Sequence, residues 1–309
     1  MHPFRFGIQL PGAPTGRAWR ELARKVESLG YSTLYVPDHL DDQWSPTVAI
    51  TVAAEATTTL NVGALVYDND YRHPQLLAKE MATLDLAAQG RVEVGIGAGW
   101  LRTDYDASGI AYDDPAVRVR RMEEAIVVMK ALWRDGTCTF KGEFYDLADA
   151  VGLPLPYSRP HPPLVIGGGS RKVLGIAGRE AQIVGVNPRL RSGAIDAEAI
   201  ASTRPELWDQ RVEWVKAGAG DRLDEIELQN LCFVCAVTDD REGLARQMAP
   251  SLGVDPDVAL DIPVVVVGTV AQICETLRQR RERWGFSYFV FHEADIEPFA
   301  PVVAALAGT

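Results

Sequence analysis

The sequence predicts an α/β fold of the (β/α)8 barrel type, with insertions. Three observations carry that expectation. Short apolar runs alternate with stretches of helical period through most of the 309 residues. The strand–helix units number about eight, the count of a closed barrel. The chemistry-bearing residues fall repeatedly where the apolar runs end, as barrel enzymes place them. An open doubly wound sheet competes, but no G-x-G-x-x-G follows the first strand and nothing marks two halves. A barrel of this type takes about 250 residues. The surplus falls in 101–117, 134–163 and 187–225 of a single domain spanning 1–309.

Each element has a local reason. "FRFGIQL" is a first strand, followed by a helix with Ala18, Trp19, Leu22, Val26 and Leu29 on one stripe and Gly30 at its end. "STLYVPDHL" is the second strand, Pro46–Ala56 a helix, and "LNVGALV" the third strand. Pro74 opens a helix with Leu77, Met81 and Leu84 on one side, and "RVEVGIGAG" is the fourth strand. A loop then leads to a long helix near Arg118–Trp133, and "CTFKGEFYDL" is a hairpin turning at Lys141-Gly142. A proline-rich connector precedes "LVIGGGS", the fifth strand. The sixth is "AQIVGVN", the seventh "IELQNLCFVCAV" and the eighth "FSYFVFHEAD", with helices at 171–178, 205–217, 241–250 and Val270–Trp284.

Composition narrows the function. Forty-two acidic against thirty-one basic side chains give a net charge of −11, which argues against nucleic acid as the main partner. No apolar stretch approaches the roughly 20 residues a bilayer span needs, and "MHPFRFGIQL" is not a secretory leader, so a cytoplasmic protein is expected. Four cysteines do not make a disulfide scaffold. Cys232 and Cys235 form a C-x-x-C, but no second pair or nearby histidine completes a metal site; inside one strand they would point to opposite faces. No metal is expected.

The strand ends supply the candidate site. The second ends in Pro37-Asp38-His39 with Trp44 close behind, the fourth in Gly97-Ala98-Gly99-Trp100 with Asp104 one turn on, and the eighth in His292. The fifth ends in Gly167-Gly168-Gly169-Ser170, a glycine-rich loop opening a helix, which offers free N–H groups and the positive helix end to a phosphate. Glycines at alternate positions 95, 97 and 99 leave one face of the fourth strand bare, as a flat ring lying across the barrel mouth would require.

Taken together, "YVPDHL", "RHP" at Arg72–Pro74, "GRVEVGIGAGWLRTDYDASGI", "PPLVIGGGS" and the closing "VVVVGTVAQICETLRQRRERWGFSYFVF" resemble the bacterial luciferase-like superfamily of oxidoreductases. The likeness is nearest to its branch that uses the deazaflavin coenzyme F420, and it runs in order over nearly the whole chain. It implies a luciferase-like barrel, usually a homodimer, with the cofactor at the C-terminal mouth and a small organic molecule as substrate. It also implies a non-proline cis peptide in the third strand behind the ring, which is expected at Ala64–Leu65. His39 matches the family and is the candidate proton donor, being the side chain that exchanges protons near neutral pH, with Asp38 a candidate to orient it. Ala64, Leu65, Gly97, Ala98, Gly99 and Gly167 to Ser170 are assigned to the cofactor, and Trp44, Trp100, Asp104 and His292 to the substrate pocket. Where relatives usually have a glutamate this chain has Asp104, so its reach is shorter by about one bond. Two alternatives stand beside F420-dependent hydride transfer. One is an FMN-dependent monooxygenase fed with reduced flavin by a partner reductase; the other is a ligand-binding barrel without catalysis.

Overall fold

The computed structural model describes residues 2–309. β1 (Arg5–Gln9) leads into α1 (Gly16–Ser28), capped by the Thr15 hydroxyl on the Ala18 N–H. β2 (Thr33–Val36), α2 (Pro46–Ala56), β3 (Asn61–Asp68), α3 (Pro74–Ala87) and β4 (Val92–Gly97) follow. The segment expected as a loop after β4 contains a short helix, α4 (Arg102–Ser108). α5 (Pro115–Asp135) starts three residues before the expected Arg118, because Pro115 suits a first helical position, and stops at Gly136 with φ +74°.

Strands β5 (Thr137–Lys141) and β6 (Asp146–Val151) form the expected hairpin, turning over 142–145 rather than at Lys141-Gly142 alone. Next come β7 (Leu164–Gly168), α6 (Arg171–Glu180), β8 (Ile183–Val186), α7 (Ala197–Ala201) and α8 (Pro205–Ala219). The chain ends with β9 (Glu227–Leu231), β10 (Val234–Val237), α9 (Arg241–Leu252), α10 (Pro256–Asp261), β11 (Val265–Gly268), α11 (Val270–Trp284), β12 (Phe286–His292) and α12 (Ala300–Leu306).

Eight of these strands, β1, β2, β3, β4, β7, β8, β9 and β12, close into a parallel barrel in chain order. The seventh predicted strand is therefore two. After Leu231 the chain leaves the barrel, and β10 pairs in parallel with β11 outside it. The break also overturns the expected geometry of the cysteine pair. Cys232 is buried in the break, the Cys235 thiol lies against it rather than on an opposite face, and both are free. No cluster of metal-binding side chains exists among the described residues, and no described helix is long and apolar enough to cross a membrane.

The barrel interior is filled in layers. At its N-terminal end Arg5 Nε lies 2.8 Å from Glu227 and its guanidinium pairs with Glu93, which also accepts from the Tyr35 hydroxyl. Above sit Tyr35, Val165, Ile183, Tyr288 and Val290, topped by Leu65 and Leu231.

Between β3 and β4 the backbones come too close for side chains. A Cβ at Gly63 would lie 2.2 Å from the Glu93 carbonyl oxygen, and one at Gly95 would lie 2.0 Å from that of Ala64. β3 loses its register with β4 between Ala64 and Tyr67, and within that bulge the Leu65–Val66 peptide is cis. The cis bond sits one residue beyond the expected Ala64–Leu65, because Ala64 still keeps regular register opposite Val94.

Two outcomes are expected. Gly95→Ala places a methyl inside a backbone contact and should cost more than about 3 kcal/mol or abolish soluble expression. Gly175→Ala, in open space on α6, should be neutral or stabilise by up to about 1 kcal/mol in urea denaturation. A further outcome concerns Glu27. Burial works against its charge, but the N–H groups of Thr59, Thr58 and Leu60 outweigh it and bring the carboxyl from an ordinary 4.5 to about 2. A carboxyl lowered on folding stabilises above its unfolded value and loses that contribution as pH falls to its folded one. Glu27→Gln should therefore flatten the fall in stability between about pH 4.5 and 2, measured by denaturant midpoints.

Candidate active site

The C-terminal ends of β2, β3 and β4 bring one cluster together. Successive residues of extended chain point apart, so Asp38 and His39 take different partners. Asp38 turns inward, is 6% exposed, and accepts from Arg72 Nη2 at 3.1 Å and from the Asp68 N–H at 2.9 Å. The expected orienting role for Asp38 is thus corrected: its carboxylate is clamped by Arg72.

His39 is oriented by Asp104 instead. Nδ1 stands 2.7 Å from Asp104 Oδ2, so its proton is on Nδ1, and Nε2 has no partner among the described residues. The shorter carboxylate reaches because α4 carries it inward to 5% exposure. The Tyr71 hydroxyl donates to the same oxygen at 3.2 Å. Trp100 meets the imidazole edge-on, centroids 5.5 Å apart at 90°, and forms the wall beside it.

The β4 glycines also have a reason within the chain. A Cβ at Gly97 would lie 2.6 Å from Val66 Cγ2, and one at Gly99 would lie 1.8 Å from the Tyr105 hydroxyl and 2.5 Å from Asp68 Oδ2. These glycines make room for the chain's own bulge and its Tyr105–Asp68 contact. Burial raises the Asp68 carboxyl from 3.8 to about 6, against hydrogen bonds from the Asp70 N–H and Tyr105. Of the other cofactor residues on this side, Ala64 is fully buried, Leu65 tops the barrel core, and Ala98 is half-buried.

β7 and β8 frame the opposite side. Gly168 is crowded by Val173 and Gly169 by the Pro188 carbonyl, whereas a Cβ at Gly167 would meet only Asn187 Nδ2 at 3.0 Å and, more loosely, the Gly185 carbonyl. Ser170 caps α6, accepting from the Val173 N–H at 3.3 Å. Asn187 Oδ1 is buried with no hydrogen-bond partner. Arg211, on the buried stripe of α8, is 3% exposed. It donates to the Ser202 carbonyl at 2.6 Å and the Gly169 carbonyl at 3.3 Å. Burial, and then Arg189, lower its guanidinium from 12.5 to about 10, and no carboxylate pairs with it among the described residues. A buried cation without a counter-charge and a buried amide oxygen without a donor are both costly, and both lie among the residues that follow β7 and β8.

The remaining predicted residues divide. His292 stacks on Phe233 at 6.0 Å, and burial lowers its imidazole below the ordinary range. Trp44 packs on Trp19 of α1 at 5.4 Å and against the main hydrophobic core. Residues of the segments 101–117 and 187–225 meet, Arg102 N–H donating to Gly193 and Tyr112 to the Trp100 carbonyl. The hairpin braces the cluster: Asn69 donates to the Tyr145 hydroxyl and Arg121 lies over the Phe144 ring. Sequence reading missed Tyr71 and Arg211, and gave no role to Arg72 of "RHP" or to Asn187 at the end of the sixth strand. The one readable signal was Arg211, a charge on the stripe shared by Trp208, Val212 and Val215.

The sequence profile of the family described as luciferase-like monooxygenase matches residues 1–212. The chain belongs to this family. Among curated relatives, the luciferase-like chain is 36% identical over 124 residues to an FMNH2-dependent dimethylsulfone monooxygenase from Pseudomonas putida, covering 40% of this chain and 34% of that one. It is 30% identical over 174 residues to an F420-dependent glucose-6-phosphate dehydrogenase from Amycolatopsis mediterranei, covering 52% and 50%. The aligned part is thus a third to a half of these relatives' length. The F420-dependent tetrahydromethanopterin reductase of Methanopyrus kandleri has the same fold, with a TM-score of 0.75 over 98% of this chain and 97% of that one, at 19% identity.

The Asp38–Arg72 clamp gives a stability test. Arg72→Met strands a buried carboxylate and should cost about 3–5 kcal/mol. Adding Asp38→Asn to it should recover part of that loss in a double-mutant cycle read by urea denaturation.

Proposed function

We propose that this luciferase-like protein is an F420-dependent oxidoreductase that transfers a hydride between the deazaflavin and a small organic substrate. The carrying observation is the His39–Asp104 pair, which presents an unpartnered Nε2 where the second strand opens into the barrel mouth. In the closed ring β8 stands four strands from β2 in either direction, so the Gly167–Ser170 and Asn187 side lies across the mouth from His39. An elongated planar cofactor with an anionic tail fits that layout. The N–H groups that open α6, the Ser170 hydroxyl and the positive charge of Arg211 favour the phosphate. Asn187 Oδ1 is free to accept from the ring side, and Leu65 and Leu231 supply an apolar floor.

When bound, a reduced deazaflavin supplies a hydride and reacts poorly with oxygen. His39 then gives the proton from Nε2 to the substrate oxygen, and in the reverse direction takes it. Asp104 fixes the tautomer and stabilises the imidazolium. Trp100 and His292 line the substrate side. The proposal includes a homodimer, as the family resemblance implies, in the cytoplasm, as the composition leads one to expect.

The likeness to the dimethylsulfone monooxygenase favours a second reading, an FMN-dependent monooxygenase. Fluorescence titration separates the two. The F420 reading predicts quenching of F420 with micromolar or tighter affinity, weak FMN binding, and no oxygen uptake during turnover. Tight FMN binding with oxygen consumption would overturn it. With a substrate in hand, His39→Ala should lower kcat by about 10²- to 10⁴-fold with F420 affinity retained.

A further inference from the structure

We infer that Tyr71 is a positioning residue for His39, acting through Asp104; the inference rests on the reading of His39 as proton donor. Asp104 Oδ2 accepts two hydrogen bonds, from His39 Nδ1 at 2.7 Å and from the Tyr71 hydroxyl at 3.2 Å. The Tyr71 hydroxyl makes no other hydrogen bond among the described residues. Its ring is fixed against Tyr105, centroids 5.6 Å apart. Tyr71 stands in a single helical turn, 69–71, directly after β3, whereas Asp104 comes from α4 and His39 from the end of β2. Three separate loops therefore meet on one carboxylate oxygen.

The charges around this point keep the roles distinct. Tyr71 is held in its protonated form by burial and by the carboxylates of Asp68, Asp104 and Asp38, so it has a proton to donate to Asp104. Asp38 is committed to Arg72, and Asp68 to Tyr105 and the Asp70 N–H. Trp100, the other neighbour of the imidazole, carries no charge. Asp104 is thus the one carboxylate in contact with His39, and Tyr71 is the one group that shares its charge there.

Two effects follow from that sharing. The second donor pins the carboxylate rotamer, which gives the imidazole one orientation toward the mouth. It also draws part of the negative charge away from Nδ1, so the imidazolium is stabilised less than by an unshared carboxylate. Tyr71 therefore sets both the direction of the imidazole and the share of the Asp104 charge that reaches it.

Tyr71→Phe tests this, since the ring remains to pack on Tyr105 and only the donor is lost. The chain has five histidines, so the His39 resonance can be assigned by its loss in His39→Ala. With ¹³C-histidine NMR on the full chain, the His39 midpoint should rise by roughly half a pH unit in Tyr71→Phe. Tyr145→Phe, which removes a hydroxyl bonded to Asn69, should leave it in place. In turnover, the pH profile of kcat should move by the same amount with KM little changed. An unmoved His39 midpoint, or an equal shift in Tyr145→Phe, overturns the inference. The NMR arm needs neither cofactor nor substrate. A shifted midpoint with turnover unaffected by His39→Ala would keep the coupling and remove the donor role; a fixed midpoint with turnover lost in His39→Ala would do the reverse.

Discussion

Everything at the barrel mouth depends on how closely β3 approaches β4. At Gly63 and Gly95 each backbone lies where the other strand's Cβ would be, and no larger residue permits it. β3 then bulges, Val66 settles over Gly97, and the strand delivers Asp68 beside Gly99. From there the chain turns once and sets Tyr71 against α4. Asp104 and Tyr105, one turn beyond Trp100, meet what the bulge has placed: Asp104 takes Tyr71 and His39, Tyr105 takes Asp68. The alternate glycines thus help to bring a carboxylate to an imidazole.

The mouth is electrically divided. On the side of β2 to β4, Asp38, Asp68, Asp70 and Asp104 are gathered under hydrogen bonds and two arginines, Arg72 and Arg121. On the side of β7 and β8 the buried charge is Arg211, answered only by carbonyl oxygens and by a second arginine. A net charge of −11 says little about such a site, because the fields that matter act over the few ångströms inside it. Under the proposed function, proton chemistry falls to one side and anion binding to the other, with apolar Leu65 and Leu231 between.

The barrel was legible because its signals are local: alternation of apolar runs and helical stripes, prolines at first helical turns, glycines at the ends. His39 and Asp104 were legible as residues at strand ends, but not as partners. Pairing across 65 residues is set by where α4 packs, and no periodicity records that. Asp38 was misread for the same reason, since its partner Arg72 lies 34 residues away. The glycine run showed that something comes close; only the register shift in β3 tells that it is Val66. The one-residue error in the cis bond has the same origin, for nothing in "GALV" distinguishes neighbouring peptide planes. Strand seven was drawn too long because Cys232 and Phe233 are as apolar as the strands they separate.

The central claim is that a deazaflavin spans this mouth with its phosphate at the β7–β8 side and its reactive face toward His39. A crystal structure of the complex with F420 tests it most directly. The account requires the phosphate within hydrogen-bond distance of the Ser170 hydroxyl or the first N–H groups of α6, and His39 Nε2 facing the open side of the ring. A phosphate bound on the β2–β4 side, or a ring with His39 turned away and still tied to nothing but Asp104, would contradict it.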